Sequence, residues 1–205
     1  MSAALDVKKS MDSYRARRGE LRVLEVPPAR YLMVDGHGDP NTSPAFGAAV
    51  ATLYPVAYAL KFAARERGLH YVVPPLEGLW WAADMAAFTS ARDKTRWDWT
   101  LMLLVPDPVP ADLVPEVVET VRRTKAPPRI DELRVGTLEE GTCVQTLHVG
   151  SFDDEGPVLA HLHEEFLPAH GLVPSGTHHE IYLSDFRRVP PGRRRTILRQ
   201  PVSRA

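Results

Sequence analysis

A weak internal repeat is the sequence feature that most limits how this chain can fold. In the first half, the pair Gly68-Leu69 is followed after seven residues by Glu77, and in the second half Gly171-Leu172 is followed after seven residues by Glu180. The offset between the two copies is 103 residues at both points. Because such a repeat indicates two copies of one supersecondary unit, we expect two related halves that pack together.

Both halves show the same order of elements. The first half has a strand at 30–35, a helix at 43–67, an extended segment at 71–82 and a strand at 97–105. The second half has a strand at 143–149, a helix at 156–169, an extended segment at 178–185 and a strand at 195–200. Both helices stop at a glycine, which is a common helix C-terminus. The order predicts an α+β fold of tandem βαββ repeats with pseudo-two-fold symmetry and helices on one face of the sheets.

The pattern also sets the expected boundaries. We expect one domain over 1–205, with the first repeat at about 20–105, a linker helix at 111–126 and the second repeat at about 130–202. A strand at 133–140 leads into the second half. Pro55 is expected to begin a new turn or to kink the first long helix. If the helices cover one face only, the other face is free to form a central ligand groove between the halves.

Composition excludes several classes of protein. The 205 residues carry a formal net charge of −1, which predicts no strong attraction to nucleic acid or to an anionic membrane. No stretch was expected to reach the roughly 20 apolar residues of a membrane span. Cys143 is the single cysteine, which excludes an intrachain disulfide and favours a cytoplasmic location. Its apolar surroundings favour a buried structural thiol over a nucleophile.

All four tryptophans of the chain lie in two strand-like segments. Residues two apart on a strand share a face, so Trp97 and Trp99 share one, and Trp81 shares another with Glu77, while Trp80 points the opposite way. Indole rings beside a carboxylate suit a flat aromatic or cationic guest. The alternative interpretation is that these rings simply fill the core.

A second cluster surrounds Glu180. On a strand, His178, Glu180 and Tyr182 share a face, which suits proton transfer. A carboxyl held among aromatic rings loses hydration, so its pKa is expected to rise. The alternative is a surface ion pair, for which Arg187 and Arg188 are available.

Two further acidic segments invite interpretation. Asp153 and Asp154 precede a helix and are typical N-terminal residues, whereas the role of Glu155 stays open between capping and catalysis. His163 could begin an HExxH zinc motif, but the fifth position is Leu167, so no metal is expected. Nucleotide-binding and serine-hydrolase motifs are missing from the sequence, and no cofactor is expected.

Five segments give the chain a family resemblance: GHGDPN at 36–41, PLEGLWW at 75–81, EGTCVQ at 140–145, HHEIYLSD at 178–185 and TILRQP at 196–201. They resemble the GyrI-like small-molecule-binding family, and the resemblance runs from about residue 15 to the end.

The resemblance implies a tandem βαββ fold of the SHS2 type with a central groove. Members serve as effector domains of multidrug-responsive regulators, as gyrase inhibitors and as stand-alone proteins, some similar to hydrolases of cyclopropylpyrroloindole compounds. Glu180 matches the acidic groove position of the family best, and Glu77 and Glu155 match it less closely. Neither end of this chain resembles a helix-turn-helix, which disfavours a fused regulator.

The leading hypothesis is a detoxifying protein whose partner is a bulky, planar, apolar or cationic small molecule. The predicted ligand contacts are Glu77, Trp80, Trp81, Trp97, Trp99, His178, Tyr54 and Met102. Catalysis is assigned to Glu180, Glu155 and Tyr182, and which second glutamate assists Glu180 stays open. The first half would hold the guest and the second half would transfer protons. The alternatives are a module that only sequesters drugs and a gyrase-inhibitor-like interaction protein. A monomer and a homodimer both remain open.

Overall fold

The computed structural model describes residues 4–83 and 93–205. Within that part of the chain the strands are β1 (Arg22–Val26), β2 (Ala29–His37), β3 (Leu76–Trp81), β4 (Asp98–Val105), β5 (Arg134–Leu138), β6 (Gly141–Val149), β7 (Leu172–Pro174), β8 (His178–Tyr182) and β9 (Arg195–Arg204). The α-helices are α1 (Val7–Ser10), α2 (Pro44–Glu66), α3 (Leu113–Lys125), α4 (Gly156–Ala160) and α5 (Leu167–Ala169). The predicted helix at 156–169 contains a π-helical segment, His161–Phe166, between α4 and α5.

All of these strands join one antiparallel sheet in the order β1-β6-β9-β8-β3-β4-β2-β5, with β7 beside β9. The predicted α+β class is therefore confirmed. The central pair is β3 and β8, in which Leu76 lies opposite Tyr182 and Gly78 lies opposite Glu180.

The edge strands cross between the halves. β1, which lies at the start of the first half, pairs with β6 of the second half. β5, which was expected to lead into the second half, pairs instead with β2 of the first half. Each half thus supplies an edge strand to the other, and the halves share a continuous ladder of backbone hydrogen bonds. The β1 strand had not been predicted, because its five residues lie among charged side chains.

The long helix α2 is uninterrupted across Pro55, so the predicted new turn does not occur. Ser43 precedes it, Pro44 occupies its first turn, where a missing N–H costs nothing, and Gly68 follows it with φ of +82°. By length and composition α2 could cross a membrane, contrary to the expectation from sequence. In this structure α2 has the position of a core helix, because eight of its residues are buried, among them Leu53 and Leu60.

The sheet has two differently covered faces. The helix face, which carries Trp80 and Glu180, packs against α2 and α3 through a large apolar cluster that includes Leu101 and Leu103. The network face, which carries Glu77 and its neighbours, is covered by the N-terminal segment, with Val7 and Tyr14 packed against Ile181 and Ile197. The N-terminal segment therefore covers Glu77 on the face that the helices leave free, and the expected location of the site has to be revised.

Candidate functional site

An aromatic cavity of about 180 Å³ opens on the helix face, between the start of α2 and the segment that begins α4. Its aromatic walls are Phe46, Trp80, Trp97, Phe152, Tyr182 and Phe186. Its polar lining comes from Asn41, Lys94, Glu155, Glu180 and Arg194, with Pro40 at the edge. Both halves of the chain contribute to it. The cavity therefore lies on the helix face of the sheet and not on the opposite face, where the groove was predicted.

Glu180 enters the cavity from β8 at the centre of the sheet. Its register partner on β3 is Gly78, which has no side chain to fill the space in front of the carboxylate. A Cβ at position 78 would lie 2.7 Å from Nε1 of Trp80 and 3.0 Å from the hydroxyl of Tyr182, closer than a methyl group tolerates. The glycine is thus what lets Trp80 and Tyr182 meet beside Glu180.

Tyr182 links the wall of the cavity to its acid. Trp80 donates a hydrogen bond from Nε1 to the Tyr182 hydroxyl oxygen at 3.0 Å. Burial, the charge of Glu180 and a hydrogen bond with Glu180 hold the pKa of Tyr182 well above 10, so the phenol keeps its proton near neutral pH. The phenol can therefore donate to the Glu180 carboxylate or to a bound guest.

Glu155 is the second acid of the cavity. It ends a 3₁₀ turn, Phe152–Glu155, directly before α4, and it is buried. Its charge also raises the pKa of Tyr182, which places the two glutamates around one phenol. The sequence left the role of Glu155 open between capping and catalysis, and the structure places its side chain in the lining of the cavity together with Glu180.

Three phenylalanines of the cavity were not among the predicted site residues. Phe46 lies 6.2 Å from Trp80 between ring centroids, and Phe186 lies 6.3 Å from Phe46 and 6.2 Å from Phe152. They come from α2, from the turn before α4 and from the loop after β8. A signal was present, since Phe46 and Phe152 both follow the turn after the first long strand of their half, but periodicity alone could not bring them together.

The mouth of the cavity carries cations. Lys94 binds Asp153 with 2.7 Å between Nζ and Oδ1, which joins the β3–β4 connection to the second half of the chain. The guanidinium of Arg194 lies 5.2 Å from the Phe152 ring centroid and donates to the backbone oxygens of Phe186 and Val189. The cavity therefore has acids inside and positive charge at its edge.

The predicted partnership of Glu77 with Glu180 does not occur. Glu77 lies opposite Ile181, one residue away from Glu180 in register, so the two carboxylates point to opposite faces of the sheet. Glu77 is completely buried on the network face, where its carboxylate accepts a hydrogen bond from the Tyr14 hydroxyl and pairs with His179 at 2.9 Å. Glu77 and Glu180 therefore occupy matching positions in the sequence repeat, but their side chains lie on opposite faces of the sheet.

Glu77 belongs to a buried charge network that includes His179, Glu140 and Arg199. His179 lies between the two carboxylates, with Nε2 2.9 Å from Glu77 and Nδ1 2.9 Å from Glu140. Arg199 binds Glu140 at 2.7 Å and also donates to Gln145 and to the backbone oxygen of Ser13. The two carboxylates therefore face two basic side chains in the interior, and such pairing is the condition under which buried charges are tolerated.

The pKa values of the network follow from this geometry. Burial opposes the imidazolium, but the charge of Glu140 and hydrogen bonds to Glu140 and Glu77 raise the pKa of His179. Burial likewise opposes the carboxylate of Glu140, but His179 and Arg199 lower its pKa to about 2. The low pKa keeps Glu140 ionised near neutral pH, and the raised pKa of His179 favours its charged form. Through the Tyr14 hydroxyl and the backbone oxygen of Ser13, the network fastens the N-terminal segment to the sheet.

The other predicted contacts are dispersed. Trp99 is buried under Gly36 and Phe46, Met102 lies opposite Glu77 on the network face, and Trp81 shares that face. Trp99, Met102 and Trp81 do not line the aromatic cavity in the described part of the chain. His178 lies behind Glu180, with 3.8 Å between Nε2 and Oε1, and burial lowers its pKa to about 3. Tyr54 lines a separate groove, described below.

The family model of the GyrI-like small-molecule-binding domain matches residues 19–202. Among solved structures, an uncharacterized conserved protein from Listeria innocua is 35% identical with a TM-score of 0.87, covering 97% of this chain and 100% of its own. Two structures titled as hydrolases from the same organism are 34% identical, with TM-scores of 0.83 and 0.84. They cover 97% and 98% of this chain and all of their own. No protein with a curated description matches the chain.

Proposed function

Because the chain belongs to the family of GyrI-like small-molecule-binding domains, we propose that its aromatic cavity binds a planar electrophilic compound and hydrolyses it. The observation that carries the proposal is the pair of buried carboxylates, Glu180 and Glu155, that open into one aromatic cavity around Tyr182. The hydrolase titles of two relatives at 34% identity support a hydrolytic reaction. The substrate class proposed is a cyclopropane conjugated to a carbonyl, as in cyclopropylpyrroloindole compounds.

The aromatic walls orient the guest. Trp80 and Trp97 meet edge to face at 5.8 Å between ring centroids, and Tyr182 and Phe152 form a similar pair at 5.6 Å. A flat guest stacks against these rings, which exclude water from its faces, and each aromatic contact contributes about 0.5–1.5 kcal/mol beyond its buried area. Binding in this way presents one edge of the guest to the two carboxylates.

Opening of the cyclopropane ring then requires a general base and a group that accepts the electron pair of the broken bond. Glu180 accepts a proton from a water molecule while the water oxygen forms a bond to the unsubstituted cyclopropane carbon. The C–C bond to that carbon breaks, and its electron pair moves through the conjugated ring to the carbonyl oxygen, which then takes up a proton. Glu155 accepts a hydrogen bond from the water and so positions it. Tyr182, whose raised pKa keeps it protonated, donates a hydrogen bond to the Glu180 carboxylate or to the guest.

The test follows the ring-opened product by mass spectrometry with wild-type protein, Glu180→Gln and Glu155→Gln. The proposal expects product from the wild type and a loss of turnover of about 100-fold or more in Glu180→Gln, the range typical of a general base. Glu164→Gln, on the exposed side of the π-helical segment, is the matched control and should retain activity. Unchanged turnover in Glu180→Gln would refute the assignment.

The same aromatic cavity also suits sequestration without chemistry. Saturable binding with no product from any variant would replace the hydrolytic proposal with a drug-binding one. Quenching of tryptophan fluorescence measures that binding directly, because Trp80 and Trp97 line the cavity.

A further inference from the structure

A second hollow lies on the other side of the cavity wall. Tyr182 and Phe186 line both the aromatic cavity and an open groove of about 450 Å³. Within the described residues the two hollows share these two side chains and no others. The cavity and the groove are therefore neighbours, separated by two rings whose centroids lie 6.1 Å apart.

Helix α2 runs along both hollows. Phe46 near its start lines the cavity, and Tyr54 and Tyr58 line the groove, with their ring centroids 6.3 Å apart. At 1.5 Å per residue, positions 46 and 58 are separated by about 18 Å along the helix axis. Pro74 and Pro75 also line the groove. The two hollows together offer the length of two or three fused or linked ring systems.

The groove, unlike the cavity, has more basic than acidic side chains in its lining. Lys8, Arg187 and Arg188 line it, and the one acid among the described lining residues is Asp185. Asp185 is already paired with Arg187 at 3.0 Å and with Arg188 at 3.6 Å, so the groove keeps a positive excess. The Arg187 guanidinium also lies 5.3 Å from the Tyr54 ring centroid. An aromatic group with an anionic or hydrogen-bond-accepting substituent fits this surface.

We propose that the groove is an outer subsite for the second aromatic unit of an elongated ligand, whose acceptor or anionic group faces Arg187. The proposal rests on the proposed function for the first unit, which occupies the cavity beside Glu180. A cavity of about 180 Å³ holds one small ring system, since 150 Å³ holds benzene. A longer ligand must displace Phe186, and Phe186 therefore sets the length that the site admits.

Three matched dyes test the outer subsite: 1-naphthylamine has one ring system, N-phenyl-1-naphthylamine has two units, and 8-anilinonaphthalene-1-sulfonate adds an anion to the same two units. Fluorescence titration gives Kd for each. Tyr58→Ala should weaken both two-unit dyes by about three- to tenfold and leave 1-naphthylamine unchanged. Arg187→Gln should remove the preference for the sulfonate dye over its neutral counterpart.

Phe186→Ala should lower the affinity for the one-ring dye and raise the association rate of the two-unit dye. It removes a wall from the cavity, so 1-naphthylamine should bind more weakly, and it joins the two hollows, so N-phenyl-1-naphthylamine should associate faster. Phe62→Ala is the matched control, because Phe62 is 53% exposed on α2 and lines neither hollow. Tyr58 is itself 46% exposed, so its replacement should leave the fold intact.

The outcomes separate the two proposals. If 1-naphthylamine binds but Tyr58→Ala and Arg187→Gln behave like Phe62→Ala with every dye, the outer subsite is overturned and the cavity stands. If 1-naphthylamine does not bind at all, the cavity assignment under the proposed function fails, and the outer subsite, which depends on it, fails with it.

Discussion

Replacing Glu77 by glutamine tests whether the repeat-related glutamates have separate roles. The substitution removes one of the two carboxylates that hold His179, and it leaves a buried imidazolium with Glu140 as its remaining anionic partner. Breaking a buried ion pair costs about 3–5 kcal/mol. The amide can still accept the hydrogen bond from Tyr14, so a value near the lower end is expected.

The measurement is urea and thermal unfolding followed by tryptophan fluorescence. With a loss of about 3 kcal/mol and about 2–4 °C per kcal/mol for a chain of this size, the melting temperature of Glu77→Gln should fall by roughly 6–12 °C. Glu132→Gln is the control, since Glu132 forms an exposed ion pair with Arg129 and should melt close to the wild type. Below its melting temperature, Glu77→Gln should still bind 1-naphthylamine, because Glu77 lies outside the cavity.

The stability difference between wild type and Glu77→Gln should also depend on pH. His179 has a raised pKa in the folded protein, so the stability that its charge contributes is complete below its unfolded value of 6.5. That contribution is lost as the pH rises through the folded pKa. The difference between wild type and Glu77→Gln should therefore be largest near pH 6 and shrink at alkaline pH. Equal melting temperatures for wild type and Glu77→Gln near pH 6 would show that the network does not stabilise the fold.

Three further predictions concern other parts of the molecule. The pKa of Glu140 falls from 4.5 to about 2 on folding, so its contribution, on the order of 3 kcal/mol, should be present above pH 4.5 and lost as the pH falls through about 2; urea unfolding of Glu140→Gln should show a shallower acid loss. Gly78→Ala should separate Trp80 from Tyr182 and weaken 1-naphthylamine binding, with near-native circular dichroism; unchanged binding would contradict the close approach. Burial raises the pKa of Cys143 to about 12, so Ellman's reagent should label the native protein slowly and the urea-unfolded protein fully.

Several features could be read from the sequence because they depend on local patterns. The glycines that end the helices, the long apolar run of α2 and the alternating strands that carry Glu77 and Glu180 all appear in the structure close to their predicted bounds. The alternation along β8 also correctly grouped His178, Glu180 and Tyr182 on one face. These features follow from backbone sterics and side-chain periodicity, which act over a few residues.

Only some of the residues of the candidate site could be predicted from local sequence patterns. Glu180, Glu155, Tyr182, Trp80 and Trp97 line the cavity, but their catalytic and binding roles stay predictions. Phe46 and Phe186 come from elements far apart in the chain, and no local pattern links them.

The sequence by itself determined where most of the elements lie and which residues share a strand face, because those properties are local. Only the tertiary structure shows that β1 pairs with β6 and β5 pairs with β2, so that each half contributes an edge strand to the other. Only the tertiary structure also shows the register of β3 against β8, in which Glu77 and Glu180 lie on opposite faces of the sheet. A shift of one residue in strand pairing reverses the face of every side chain, and the sequence repeat does not specify that register. Only the assembled sheet therefore separates a buried structural carboxylate, Glu77, from the cavity carboxylate, Glu180.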